Sequence, residues 1–87
     1  MEIIKEAMAG SLESSDCLIM VKPSAKLEIE VESVVQKRYG EQIKAAIIET
    51  LKEMEITAGY YRIQDKGAVE YCLRARVATV TRRGCEE

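Results

Sequence analysis

The clearest pattern along this chain is a strict alternation of apolar and acidic residues between positions 27 and 32. Leu27, Ile29 and Val31 alternate with three glutamates. A period of two residues is typical of a β-strand with one face in the core and the other in water. The pattern therefore predicts a strand over residues 27–32.

Two further strands are predicted upstream of it. Residues 17–21 are continuously apolar, and the run stops before Pro23, which favours a turn. Residues 7–12 are also predicted to form a strand, although Gly10 interrupts them. If both segments are strands, residues 13–16 form the tip of a hairpin.

A helix is predicted over residues 41–54, with charged side chains opposite its apolar face. The apolar positions that recur at helical spacing are Ile43, Ala46, Ile47, Leu51 and Met54. Ser33 and Gln36 have the spacing of a capping box, so residues 33–39 are expected to be helical as well.

The last third of the chain contains one clear strand and one ambiguous segment. Residues 59–64 predict a strand that ends at the turn-forming residues 65–67. Residues 68–82 fit both strand alternation and a helix face. We prefer a helix because about 15 residues is longer than most strands and Asp65 is a possible cap, although the β-branched run over 77–81 favours a strand.

The predicted order is strand, strand, strand, helix, strand, helix in a single domain, residues 1–87. It indicates the α+β class, with a small, mainly antiparallel sheet of about four strands and two helices packed on one face. A chain of 87 residues has room for one modest core and no deep cleft.

Composition argues against several classes of function. The chain contains no histidine, which removes the usual general base for a serine nucleophile, so no catalytic residues are predicted. The net charge of −2, with acidic and basic residues interleaved, argues against nucleic acid as a partner. Neither a membrane span nor a signal-peptide core is recognisable, and the cytoplasm is the expected location.

Three cysteines, Cys17, Cys72 and Cys85, are far apart in the sequence. Their spacing matches no zinc motif, and no histidine completes a ligand set, so no metal site is predicted. We interpret them as reduced thiols, two of them on apolar faces. Cys85 is near the tail and is expected to be exposed; the sequence leaves the roles of all three open.

Ser14, Ser15 and Asp16 at the expected hairpin tip have two interpretations. Short polar side chains of this kind bond to nearby backbone in tight turns, so the residues can be plain turn formers. A hydroxyl at a hairpin tip is also well placed for covalent modification, because it is exposed and carried by a rigid ribbon.

Four segments of the chain together match the pattern of a known family, in the same order and spacing. They are Ala9-Gly10-Ser11-Leu12-Glu13-Ser14-Ser15-Asp16, Tyr39-Gly40, Asp65-Lys66-Gly67-Ala68 and Leu73-Arg74-Ala75-Arg76. In these residues the chain resembles the acyl carrier protein (gamma) subunit of citrate lyase. In that family, a serine of the Gly-(Ser/Thr)-Leu-Glu-Ser-x-Asp segment carries phosphoribosyl dephospho-coenzyme A through a phosphodiester. By position, the resemblance implies Ser14 as the attachment residue; Ser11 lies where the family accepts Ser or Thr, and Ser15 where it often has Gly.

The resemblance implies a non-catalytic carrier subunit of a lyase complex. The arm would carry acetyl and citryl thioesters between an alpha subunit, the acyltransferase, and a beta subunit, the citryl lyase. A prosthetic-group transferase would install the arm. Glu13 and Asp16 flank the site and are interpreted either as a solvated turn or as recognition residues for these partners.

Other polar residues have a structural and a functional interpretation too. Lys66, Arg74 and Arg76 are expected to lie on solvated faces, with contact to acidic partners or cofactor phosphates as the alternative. Tyr60 and Tyr61 should place one ring inward and one outward on their strand.

Two alternative functions stay open at this point. The acyl carrier subunit of malonate decarboxylase is similar in size and uses the same kind of prosthetic group, although the Gly-Ser-Leu-Glu-Ser segment favours citrate lyase. A small scaffold or dimerisation module with an unmodified turn is the alternative from another class. An ordinary phosphopantetheine carrier is disfavoured, because its Asp-Ser-Leu motif at a helix start is absent.

Overall fold

The computed structural model describes residues 1–33 and 36–86, with the side chains of 36–39 outside the description. The elements follow the predicted order. They are β1 (Ala7–Gly10), β2 (Cys17–Lys22), β3 (Leu27–Ser33), α1 (Gln36–Glu53), β4 (Gly59–Asp65) and α2 (Glu70–Cys85).

The four strands form one mixed sheet in the order β1-β2-β4-β3. β2 pairs antiparallel with both β1 and β4, whereas β3 runs parallel to β4. The parallel pair arises because α1 crosses over between β3 and β4, as parallel neighbours require. The prediction of a mainly antiparallel sheet is therefore confirmed, with one parallel pair at the β3 edge.

Both helices pack on the same face of the sheet, which confirms the predicted α+β architecture. The largest buried side chains of this layer are Ile19, Val21, Ile47, Leu51, Tyr61, Ile63, Val77 and Val80. The opposite face carries Met8, Met20 and Arg62, which alternate with the core residues along their strands. Within the described ranges, no helix combines the length and apolar character needed to cross a bilayer.

Helix α1 begins upstream of residue 41, as predicted. Its first residue is Gln36, while residues 34–35 of the expected extension lie outside the described residues. The helical expectation was wrong at Ser33, which is the last residue of β3 and whose hydroxyl donates a 2.7 Å hydrogen bond to Asp65 Oδ2. The capping box stays a prediction because the Gln36 side chain is not described.

The ambiguous segment is a helix, and Asp65 does not cap it. The N-cap residue of α2 is Val69, without a side-chain capping bond. Asp65 instead ends β4 and accepts the Ala68 N–H at 2.9 Å, which holds the turn before the helix. The cap prediction was wrong because the Asp65 carboxylate bonds to the backbone of the turn and not to the first turn of α2.

The adjacent tyrosines of β4 point to opposite faces, as predicted. Tyr61 is fully buried, and its hydroxyl lies 2.7 Å from the buried Thr81 Oγ1 of α2. Tyr60 is half-buried on the other face, where its hydroxyl donates a hydrogen bond to Glu30 and Lys22 lies over its ring. Thr81, which belongs to the β-branched run over residues 77–81, thus packs against the sheet from α2.

Candidate modification site

The loop between β1 and β2 ends in a β-turn over residues 13–16. The Asp16 N–H donates to the Glu13 carbonyl at 3.1 Å, which places Ser14 second and Ser15 third in the turn. Ser15 has a φ of 66°, the positive value that a type II turn requires at its third residue. Ser14 is exposed, and no described residue hydrogen-bonds to its hydroxyl. The turn therefore presents this hydroxyl to solvent.

Gly10 lets the loop leave β1 at this point. Its φ is 98°, and a Cβ added there would lie 1.9 Å from the Cys17 carbonyl oxygen. The same carbonyl accepts the Ser11 N–H at 3.1 Å and closes the base of the loop. A side chain at position 10 would push the two strand ends apart, so the loop conformation depends on glycine.

Backbone hydrogen bonds tie the far side of the loop to the end of β4. The Ser15 N–H donates to the Lys66 carbonyl at 2.9 Å, and the Lys66 N–H donates to the Asp16 carbonyl at 2.9 Å. These bonds continue the β2–β4 pairing beyond Cys17 and Asp65. The serine turn is thus anchored to the sheet rather than projecting freely.

The Asp16 carboxylate is the centre of the hydrogen bonds beneath the turn. Its Oδ2 accepts the Ser11 hydroxyl at 2.6 Å and Arg76 Nη2 at 3.0 Å. Its Oδ1 accepts the Cys17 N–H at 2.7 Å, Arg76 Nε at 3.1 Å and the Cys72 thiol at 3.5 Å. The Arg76 hydrogen bonds, followed by those of Ser11 and Cys17, hold the pKa of Asp16 well below its usual range. The carboxylate therefore stays ionised and faces the protein.

The charged residues near the turn behave differently from one another. The Asp16 side chain is only 15% exposed, so the interpretation as a solvated turn does not hold for it. Arg74 is not free either, because it pairs with Glu70 at 3.4 Å and Glu49 at 3.5 Å. Glu13 is exposed, and no described residue pairs with it. Recognition by Glu13 and Asp16 stays a prediction.

Asp16, Cys17 and Cys72 place potential metal ligands within 4.8 Å of one another. Burial raises the pKa of Cys17 to about 12, whereas a metal site needs thiolate. Both oxygens of Asp16 already accept hydrogen bonds, two of them from Arg76. The chemistry of these donors is poorly suited to a cation.

Sequence reasoning missed the part that helix α2 plays at this loop. Cys72 and Arg76 lie 56 and 60 residues from Asp16 in sequence. Their spacing of four residues puts them on one face of a helix, but nothing in the sequence indicated which loop that face meets. Packing of α2 on β1 and β2 brings them together.

Comparisons with known proteins agree on one group of relatives. Residues 4–84 match the family described as "Malonate decarboxylase delta subunit (MdcD)". The chain is 46% identical to the "Citrate lyase acyl carrier protein" of Cronobacter sakazakii, over 99% of this chain and 90% of that protein. It is 42% identical to the protein of the same name from Treponema denticola, over the full length of both.

One solved structure has the same fold. A chain of the "Crystal structure of a Pseudomonas malonate decarboxylase hetero-tetramer in complex with malonate" superposes with a TM-score of 0.81. The match covers 93% of this chain and 84% of that chain at 21% sequence identity. At this level of identity, the likeness concerns the fold alone.

Proposed function

We propose that this chain, which belongs to the family of citrate lyase acyl carrier proteins and malonate decarboxylase delta subunits, is the acyl carrier subunit of a citrate lyase. The observation that supports this role best is the exposed Ser14 hydroxyl on a turn that is fixed from below by Asp16. A carrier needs a rigid point of attachment and no catalytic groups of its own. The anchored turn provides the attachment point, and the absence of histidine fits a chain without catalytic groups.

The proposed arm is phosphoribosyl dephospho-coenzyme A, joined to Ser14 through a phosphodiester. Its terminal thiol would carry the acyl group as a thioester, which makes the acyl carbonyl electrophilic and its α-carbon more acidic. At the alpha subunit, citrate would replace the acetyl group on the arm and acetate would leave; at the beta subunit, the citryl group would be cleaved to oxaloacetate and an acetyl group that stays on the arm. Tethering would raise the acyl concentration at each site to about the millimolar range. The cytoplasm is the proposed location of the complex.

Attachment is a substitution at phosphorus, for which the arm must arrive as an activated polyphosphate: the Ser14 oxygen bonds to phosphorus as the P–O bond to the departing pyrophosphate breaks, and a base takes the hydroxyl proton. The chain offers no histidine for this step, so the base is proposed to belong to the prosthetic-group transferase. Glu13, exposed beside the serine, is proposed to contact the transferase or the partner subunits directly. Asp16 is proposed to contribute to recognition through the turn conformation that it holds.

Intact-mass measurement of the protein purified from its native host, with peptide mapping across residues 6–22, tests the attachment. We expect a phosphoribosyl nucleotide adduct on Ser14. Ser14→Ala should abolish both the adduct and acyl loading while the protein still folds, whereas the matched controls Ser11→Ala and Ser15→Ala should keep them. A Ser14→Ala protein that still carries the adduct contradicts the site. An unmodified Ser14 in cells that make the partner enzymes favours the scaffold or dimerisation module.

A carrier subunit of malonate decarboxylase is the second candidate. The family description favours it, whereas the named relatives at 42 to 46% identity favour citrate lyase. The test incubates the acetylated carrier with citrate or malonate and the matching acyltransferase. We expect citryl carrier to form faster than malonyl carrier. Preferential malonyl transfer would assign the chain to malonate decarboxylase instead.

A further inference from the structure

A groove of about 480 Å³ lies between α1 and the segment that joins β4 to α2. Its described apolar lining includes the buried Ile43, Ala46 and Leu73, which we call the floor, and the more exposed Ala68 and Val69. Val69 is 67% exposed, although it is apolar. Small-molecule sites fall in this range of volume and have mainly apolar linings.

The charge of the groove disfavours an anionic ligand. Among the described residues that line it, the charged ones are Asp65 and Glu70. Asp65 accepts hydrogen bonds from the Ser33 hydroxyl and the Ala68 N–H, and Glu70 pairs with Arg74 outside the lining. Among the described lining residues, a phosphate in this place would meet two carboxylates and no cation, which favours a neutral group.

One polar side chain at the rim is available for recognition. Gln42 is exposed and lines the groove, and no described residue hydrogen-bonds to its carboxamide. A carboxamide both donates and accepts, and it can pair with N6 and N7 of adenine. An apolar floor with one carboxamide at its edge therefore matches a neutral, flat base.

The groove begins next to the serine turn. The Ser15 N–H is bonded to the Lys66 carbonyl, and the next residue, Gly67, lines the groove. A Cβ placed on Gly67 would have nothing within 4 Å, so the connection between turn and groove is open at this residue. Apart from its chain neighbours, no described atom crowds this position, so a flexible group attached at Ser14 has room to pass Gly67.

We propose that this groove binds the adenine base of the covalently attached arm, an inference that rests on the proposed function. In phosphoribosyl dephospho-coenzyme A the nucleoside lies between the linkage to serine and the pantetheine thiol. Docking of the base would fix the first part of the arm and leave the pantetheine free to reach partner active sites. The flexible part of the arm becomes shorter, which raises the effective concentration of its terminal thiol at any partner site within reach.

Nuclear magnetic resonance of the modified protein tests this docking. Nuclear Overhauser effects are expected between adenine protons and the methyl groups of Ile43 and Leu73. Gln42→Ala should lower the ratio of docked to free base by roughly 3- to 10-fold, the range that one ordinary hydrogen bond supports. Gln64→Ala, on the opposite face of the sheet, is the matched control and should leave the ratio unchanged.

The possible outcomes separate this proposal from the proposed function. An adduct on Ser14 whose adenine resonances equal those of free dephospho-coenzyme A, with no groove contacts, overturns the docking and leaves the carrier function standing. An absent adduct contradicts the carrier function. In that case, titration of the unmodified protein with free dephospho-coenzyme A still tests the groove, because binding should shift the amides of Gly67 and Ala68. If these amides shift only when partner subunits are added, the groove is a protein interface and the proposal is wrong.

Discussion

The Arg76 guanidinium of helix α2 donates Nε–H to Asp16 Oδ1 at 3.1 Å and Nη2–H to Asp16 Oδ2 at 3.0 Å. The two parallel bonds connect the helix to the loop that presents Ser14. A bidentate pair of this kind fixes orientation as well as distance. The conformation of the serine turn therefore depends on a helix near the other end of the chain.

Asp16→Asn should lower the free energy of unfolding at neutral pH, and the loss should shrink in acid. The pKa of Asp16 lies below its usual range in the folded protein, chiefly because of Arg76. The ionised carboxylate therefore stabilises the fold above pH of about 4, and this contribution is lost as the pH falls from there through the folded-state pKa. Urea unfolding of both proteins between pH 2 and 7 measures the difference. Glu13→Gln, an exposed carboxylate of the same turn, is the control; a difference independent of pH would contradict the argument.

Gly10→Ala should destabilise the protein far more than Gly67→Ala. Both glycines have positive φ, 98° and 93°. At Gly10 the new Cβ would lie 1.9 Å from the Cys17 carbonyl oxygen, whereas at Gly67 nothing lies within 4 Å. We expect the free energy of unfolding to fall by about 3 kcal/mol or more in Gly10→Ala and by about 1 to 2 kcal/mol in Gly67→Ala. Equal losses in urea unfolding would mean that the close approach at Gly10 relaxes easily.

Ser15→Gly should stabilise the turn and keep Ser14 modified. Ser15 has a φ of 66°, which costs an L-residue energy that glycine does not pay. We expect a gain of about 0.5 kcal/mol in the free energy of unfolding. Ser15→Val should have the opposite effect, because β-branched residues disfavour positive φ. Thermal unfolding measures the stability of each variant, and intact mass shows whether Ser14 is still modified. A loss of stability in the glycine variant would refute the assigned turn.

Tyr61→Phe should leave the buried Thr81 hydroxyl without its partner. The two oxygens are 2.7 Å apart, and both residues are fully buried. We expect a loss of about 1 to 2 kcal/mol, most of it recovered in the double variant Tyr61→Phe/Thr81→Val. Chemical unfolding of the four proteins of this cycle measures the coupling, and additive effects would count against the hydrogen bond.

Tyr61 should also contribute to the loss of stability at high pH. Burial raises its pKa to about 12, so the unfolded chain releases the proton first, near pH 10. The stabilisation is therefore complete below pH of about 10 and is lost as the pH rises through the folded-state value. The decline above pH 10 should be shallower in Tyr61→Phe than in the unchanged protein.

The three thiols should differ in their rates of alkylation. Cys17 is buried and burial raises its pKa to about 12, while Cys72 and Cys85 are half-buried. Iodoacetamide at pH 8 should therefore modify Cys72 and Cys85 first and reach Cys17 only after unfolding. Peptide mass spectrometry over time follows each site, and early modification of Cys17 would show that the loop opens readily.

The sequence alone predicts most of the secondary structure, because local periodicity reports which face is buried. The alternation at Leu27, Ile29 and Val31 identifies β3, and the helical spacing after residue 41 identifies α1. Residues 68–82 fit both the two-residue period of a strand and the roughly 3.6-residue period of a helix. Burial of Val77 and Val80 against one face of the sheet decides for the helix, and that face exists only in the assembled fold.

The candidate site divides in the same way. Local chemistry determines that the chain turns at residues 13–16 and that a serine hydroxyl is exposed there, because short polar residues favour turns between strands. The tertiary structure decides how the turn is held: Asp16 meets Arg76 across 60 residues, and Ser15 meets Lys66 at the end of another strand. A sequence carries no direct record of such contacts, since they depend on how separate elements pack together.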